Sequence, residues 1–423
     1  MATYLKQQLL GSNNVTGIYT LAPMTHLQTA NNYPDMAAIG FIQQFALLNQ
    51  ITQPLSAGPY TGNSYPINVS YASGSVPAGV ATPTPPIPGG PSYSPDNTGL
   101  EFNNASNNND KLVSAIIDKK SPGYYVFSAP WETTSALMTK ISTQYGYDLN
   151  LPTTYRGTNY VYAISIPMSG SASLMTYDSQ LNPSAGYPVL PSPVAITAFA
   201  NQHQPIFHLA LTGGVNGVAI PSGINTNSKI YIVRHAEAHP DDQFKFDDGN
   251  YVAAGQWRAL SLAASLQGKI SPNAVYSIDP AGLWYSNGSI RVSYVRPSLT
   301  VLPYAIANNL PYYLAAGLSL GSPYNPTDPV VAQSTSDYFF TGGKFSNQTV
   351  LVAWESAHIK PFINALISSY GGNNVPLTPA AWPPEDYDTI WTVMLDAQGN
   401  LTVDNSLCEG IESSLLPVSA PLF

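Results

Sequence analysis

"IYIVRHAEAHPDD", residues 230–242, places an arginine, two histidines and three acids within thirteen positions. The surrounding chain has few charges: Asp, Glu, Lys and Arg make up 9% of its 423 residues, against a usual share of about 25%. The apolar run leading into Arg234-His235 reads as the end of a buried strand. Strands and helices alternate downstream: strand 229–234, helix 251–267, strand 274–278, helix 296–308, strand 349–354 and helix 358–370. The closing stretch YDTIWTVMLDAQGNLTVDN reads as a hairpin with a Gly-containing turn. Alternation of this kind predicts an α/β fold, a mostly parallel sheet with helices on both faces. Sites on such sheets lie at the carboxyl ends of the strands, and Arg234-His235 sits at one. The loops 281–295 and 315–345 carry no clear pattern.

Four pieces, in order, resemble the histidine phosphatase (phosphoglycerate mutase-like) superfamily over about residues 228–405 and nowhere before them. IVRHAEAHPDD is similar to that family's first strand and Arg-His motif. YVAAGQWRALSLAASL, with Gly255, Gln256, Arg258 and Ala259, is similar to its Gly-x-x-x-Ala helix start. VRPSLTVLPYAIANNLPYY, with Arg296, Pro297, Thr300 and Pro303, resembles the helix that supplies a second arginine. VLVAWESAHIKPFINAL resembles the late strand and helix.

The resemblance implies a phosphoryl-transfer site, and the residue types suit that chemistry. A phosphoryl group in transfer carries spread negative charge and needs fixed cations around its oxygens. Arg234 and Arg296 offer planar, bidentate donors for phosphate. A neutral His235 attacks phosphorus and carries the phosphoryl group. Glu237 is the candidate for the acid that protonates the leaving oxygen. One piece departs from the pattern. In the branch with the RHAE motif the late strand ends Trp-Glu-His and supplies a second pocket histidine. Here it ends Trp354-Glu355-Ser356, and the nearest histidine is His358. Two residues along a helix turn a side chain by roughly 200°, so His358 is expected to be displaced and the activity weakened or lost. His235, Glu237 and His239 would share one face if the strand continued, as a metal site requires. Pro240 and the acidic residues after it argue that the strand has ended, so no metal or other cofactor is expected.

Charge divides the chain. Residues 1–225 hold 14 of the 39 Asp, Glu, Lys and Arg side chains. The N-terminal region reads as Pro/Gly/Tyr-rich α+β, with expected boundaries at 1–100 (a helix and an extended arm), 101–225 (a small α+β domain) and 226–423 (the phosphatase-like domain). Residues 35–51 read as a helix, apolar nearly all round, with Asp35 as N-cap. Residues 53–100 read as an extended Pro/Gly-rich arm. Further elements are expected as helices near 110–119 and 131–145 and strands near 124–129, 160–167, 172–177, 194–200 and 205–212.

A net charge of −9 and the absence of a Lys/Arg run argue against nucleic acid as a partner. One cysteine, Cys408, excludes an intrachain disulfide. No apolar run is long enough to span a membrane, and the N-terminus does not read as a secretory signal. The uncharged, amide- and hydroxyl-rich composition suits an extracellular or cell-surface protein. It also suits a self-associating one, with residues 1–100 as the contact. Six Asn-x-Ser/Thr sites occur, at Asn14, Asn68, Asn104, Asn287, Asn347 and Asn400. Three functions remain open from sequence: a phosphomonoesterase, a binder of phosphorylated ligands, and a self-assembling filament or surface-layer subunit with a degenerate phosphatase fold.

Overall fold

The computed structural model describes residues 1–21, 36–57, 60–70, 117, 121–129, 131–181, 204–239, 248–280, 282–286, 290–315, 317–321, 324–371, 375–379 and 381–422. The chain begins with a helical stretch, Ala2–Tyr4 running into Leu5–Leu10. Strand β1 (Val15–Leu21), helix α1 (Ala37–Asn49), β2 (Ile67–Ser70) and β3 (Tyr124–Ser128) follow. These three strands form a parallel sheet in the order β2-β1-β3. Helix α2 (Trp131–Tyr145) leads to an antiparallel hairpin of β4 (Tyr160–Ser165) and β5 (Ser173–Asp178).

The rest of the chain builds the main sheet from β6 (His208–Leu211), β7 (Ser228–Arg234), β8 (Ala274–Ser277), β11 (Tyr312–Leu314), β12 (Thr349–Trp354), β13 (Thr389–Leu395) and β14 (Leu401–Cys408). A small hairpin, β9 (Leu283–Ser286) with β10 (Ile290–Ser293), stands apart from it. The sheet order is β11-β8-β12-β7-β13-β14-β6. The first four strands run parallel, and β13, β14 and β6 add antiparallel pairs. Helices α3 (Ala253–Ser265), α4 (Arg296–Ala307), α5 (Pro329–Phe340) and α6 (Ser356–Ser369) connect them.

Strand periodicity accounts for the two-sided cover. Successive side chains point to opposite faces, so a strand buried on both faces reads as an unbroken apolar run. In β7, Tyr231 and Val233 join the core that holds Leu262 of α3 and Leu299 of α4. Ile230 and Ile232 join the opposite core, with Phe339 of α5 and Phe362 of α6. In β12, Leu351 and Ala353 face the first core, and Val350, Val352 and Trp354 face the second. The fold is therefore α/β, a mostly parallel sheet with helices on both faces.

Two expected boundaries are crossed by strand pairing. β3, beyond residue 100, completes the sheet begun by β1 and β2. β6, before residue 225, pairs with β14 at the edge of the main sheet. Helix α1 also finds its cover inside the chain. Ile39, Ile42, Phe45 and Ala46 are fully buried in the same core as α3 and α4, and Gln44 accepts from Gln256 and donates to the Pro421 carbonyl at 2.6 Å. A helix apolar all round needs cover on all sides, and here the C-terminal half supplies part of it. The described part of the expected arm, residues 53–57 and 60–70, has a contact of the same kind: Val69 N donates to Ser293 Oγ at 3.0 Å.

Helix α5 occupies a stretch read as loop. Its start is marked in retrospect by Asp328, which caps Val330 N at 2.9 Å, and by Pro329 in the first turn. Helix α6 begins at Ser356, two residues before the expected start, with Glu355 as N-cap. The expected Asp35 cap, the helix near 110–119 apart from residue 117, and the strand near 194–200 lie outside the described residues. No helix among the described residues is long and apolar enough to cross a membrane.

Candidate functional site

Parallel strands bring their carboxyl ends to one edge, and an antiparallel neighbour brings its amino end there. Residues after β7, β8 and β12 and before β13 therefore share that edge, namely Arg234-His235, Asp279, Glu355 and Tyr387. His235 N donates to Trp354 O at 3.0 Å, which locks the ends of β7 and β12 together. Thr300 Oγ1 accepts from Ala236 N at 2.9 Å and donates to Arg296 O at 2.7 Å. One hydroxyl thus ties the turn after β7 to the first turn of α4. Arg296 N donates to Gly249 O at 3.0 Å. Gly249 has φ +75°, and a Cβ there would lie 2.1 Å from Ser293 O, so only glycine fits. Gly255 lets α3 close on the turn after β7: a Cβ there would sit 2.6 Å from Glu237 O.

His235 is 2% exposed. Its Nδ1 lies 2.8 Å from the Ala236 carbonyl oxygen. A carbonyl can only accept, so Nδ1 carries the hydrogen and Nε2 carries the lone pair. Burial, then the charges of Arg296 and Arg234, hold the imidazole pKa well below its ordinary value, against the opposing hydrogen bond to Ala236. His235 is thus a neutral imidazole between two guanidinium groups.

The two arginines lie against different aromatic rings. Arg234 donates from Nη1 to Pro384 O at 2.7 Å and to Asp386 O at 3.2 Å. It also stacks on Tyr387 at 4.0 Å. Tyr387 meets His235 edge-on with ring centroids 6.1 Å apart, so it lies between the two. Arg296 is 4% exposed and lies over Tyr294 at 4.6 Å and Trp284 at 5.4 Å. Tyr294 in turn meets His235 edge-on at 6.1 Å.

Glu237 is fully buried, and it faces Arg258 of α3. Its Oε1 accepts from Arg258 Nε at 2.8 Å and from Ser413 Oγ at 2.7 Å. Arg258 Nη1 also reaches Glu409 at 2.6 Å and Asp388 at 3.5 Å, and Nη2 donates to Ile411 O at 2.8 Å. The candidate acid thus belongs to an ion cluster that joins the turn after β7 to α3, β13 and the end of β14. Burial lowers the Arg258 pKa, but the charges of Glu237 and Glu409 outweigh it and hold the group above its ordinary value. One guanidinium cannot neutralise three carboxylates. Burial, with Asp388 and Glu237 nearby, pushes Glu409 up to about 8 despite Arg258.

The folded state therefore keeps a proton on Glu409 that the unfolded chain releases above its ordinary pKa of about 4.3. Stability from this group is present at low pH and is lost as pH rises through about 8. Glu409→Gln is expected to remove that loss. Melting temperatures at pH 5, 7 and 9 should show wild type falling relative to the variant, and a constant difference would contradict the assignment.

His358 is 4% exposed on the first turn of α6. Its Nδ1 is hydrogen-bonded to Glu355 Oε2. Glu355 Oε1 accepts from Tyr324 OH at 3.1 Å. Burial raises the Glu355 pKa, but the bond and charge of His358, the charge of Arg296 and the Tyr324 hydroxyl outweigh it and hold the group below its ordinary value. The rings of Tyr324 and Trp354 lie 5.5 Å and 5.4 Å from the His358 ring. His239 leaves this group. It is 6% exposed and stacks on Tyr60 at 4.0 Å. His235, Glu237 and His239 therefore go three separate ways. Among the described residues no group of three His, Cys, Asp or Glu stands close enough to hold a metal ion.

Sequence reading did not single out Tyr387, Tyr294, Trp284, Tyr324 or the carboxylate of Glu355. In a chain with 28 tyrosines no single one stands out. Glu355 had a signal, its place directly after a buried strand.

The sequence matches no protein family profile and no curated protein. Among solved structures, a mycobacterial glucosyl-3-phosphoglycerate phosphatase is 15% identical, covering 42% of this chain and 97% of its own, with a TM-score of 0.28. The protein histidine phosphatase SixA, solved with tungstate, is 17% identical over 43% of this chain and 97% of its own, with a TM-score of 0.25. A mycobacterial hydrolase is 14% identical over 43% of this chain and 91% of its own, with a TM-score of 0.25. At these TM-scores the likeness carries no argument by itself. The α/β class rests on the strand order and two-sided cover described above.

Proposed function

We propose that the His235 site hydrolyses phosphate monoesters through a phosphohistidine. One observation carries this reading: a buried imidazole, neutral and fixed with its lone pair on Nε2, flanked by the charges of Arg234 and Arg296. Such a group is poor as a surface base but well suited to attack an electrophile whose charge the arginines balance. Nε2 attacks phosphorus, the ester oxygen leaves, and water then releases phosphate from the histidine. Arg296 and Arg234 bind phosphoryl oxygens, Arg234 keeping its contacts with the Pro384 and Asp386 carbonyls. With Ser356 in the place of the second pocket histidine, turnover is slow.

The test is alkaline quench, which preserves the acid-labile phosphorus–nitrogen bond, after mixing with 2,4-dinitrophenyl phosphate, followed by mapping of the label at alkaline pH. Phosphohistidine at His235 is expected, and phosphate binding without it would leave only a binding module. A self-assembling extracellular subunit remains supported by composition alone, since α1 is covered within the chain.

A further inference from the structure

We infer that His358, oriented by Glu355, is the proton donor to the leaving oxygen at the His235 site; the inference rests on the phosphohistidine reading above. With Nδ1 bound to the Glu355 carboxylate, the other ring nitrogen of His358 is left for chemistry. That Nε2 is buried and has no hydrogen-bond partner. A buried polar atom left unpaired loses its hydration without compensation, and such atoms call for an explanation. A substrate oxygen supplies one.

Position supports the same role. Glu355 and His358 follow β12, the strand whose Trp354 carbonyl accepts from His235 N. Glu355 feels the charge of Arg296, and Arg296 is one of the two charges felt by His235. The three groups share one electrostatic neighbourhood, walled by Tyr324, Trp354, Trp284 and Tyr294. Glu237, the acid favoured by sequence, also has a buried oxygen without a hydrogen-bond partner, Oε2, but its Oε1 is held by Arg258 and Ser413 in the ion cluster.

The steps balance. In the first, the bond from His235 Nε2 to phosphorus forms, the bond from phosphorus to the ester oxygen breaks, and the proton on His358 Nε2 passes to that oxygen. In the second, water attacks phosphorus, the nitrogen–phosphorus bond breaks, and a proton of water returns to His358 Nε2. Glu355 keeps the ring oriented and balances its charge while it holds both protons.

A proton donor matters in proportion to the basicity of the leaving group. The test compares wild type, His358→Gln and Glu355→Gln on two esters. One is a simple alkyl phosphate, whose alkoxide must be protonated. The other is 2,4-dinitrophenyl phosphate, whose phenolate leaves unaided. His358→Gln is expected to lose about 10²–10⁴ in kcat on the alkyl ester and less than about tenfold on the aryl ester. Glu355→Gln should show the same split in weaker form. Labelling of His235 by the aryl ester reports an intact site in each variant. Should His358→Gln fail to label, Glu355→Gln and His358→Asn carry the comparison. Equal losses on both esters, or none, in a variant that labels would overturn the inference and leave the phosphohistidine standing. Absence of phosphohistidine in wild type would instead refute the functional reading on which the inference rests.

Discussion

His235→Ala is expected to lower turnover of 2,4-dinitrophenyl phosphate by about 10⁴–10⁶, the range for loss of a covalent nucleophile. Alanine removes the Nε2 lone pair and nothing else that touches phosphate, so the arginines remain. Inorganic phosphate should still bind to the variant, measured by calorimetry, while the labelled histidine disappears. The pH profile of the wild type adds a second check. On the proposed mechanism the neutral imidazole is the nucleophile, so turnover of this ester is expected to fall as pH drops through the pKa of His235. Burial and the two arginines hold that pKa well below the ordinary value of 6.5. Activity should therefore stay level from pH 8 down past 6.5, and an acid limb centred near 6.5 would contradict the assignment of His235.

Arg258→Met is expected to cost about 3–5 kcal/mol of stability, the usual result of removing one partner of a buried ion pair. The total for a folded domain is only about 5–15 kcal/mol. Arg258 is fully buried and binds Glu237, Glu409, the Ile411 carbonyl and Ser413, with Asp388 at 3.5 Å. Methionine fills much of the volume but leaves three carboxyl groups facing one another. Urea denaturation should show a lower midpoint with an unchanged slope. A loss below about 1 kcal/mol, the usual size for an exposed pair, would mean that the cluster does not hold these elements together.

Sequence made the central sheet legible because its strands are buried on both faces, and an unbroken run such as IYIV has few other readings. Strand β12 falls at the expected 349–354, and β7 begins one residue early at Ser228. Helix α4 starts at Arg296, where Pro297 suits the first turn because its missing N–H would be unpaired there anyway. Less legible were contacts made at a distance. Glu237 was the candidate acid by resemblance to the family, and nothing in the sequence signals that its carboxylate meets Arg258, 21 positions on. His239 looked like a possible ligand, and Tyr60, from far upstream, stacks on it. The domain boundaries at 100 and 225 were drawn from composition. Strand pairing depends instead on which edges remain open, and composition says nothing of that.

Tyr60 against His239, and Asp248 accepting from Gln50 and Tyr65, mean that Gln50, Tyr60 and Tyr65 are built into the wall beside Gly249, which accepts from Arg296 N. Such a wall cannot be shed by a simple deletion, because two helices would be stripped at once. A change on either side of that shared core must therefore be tolerated by the other.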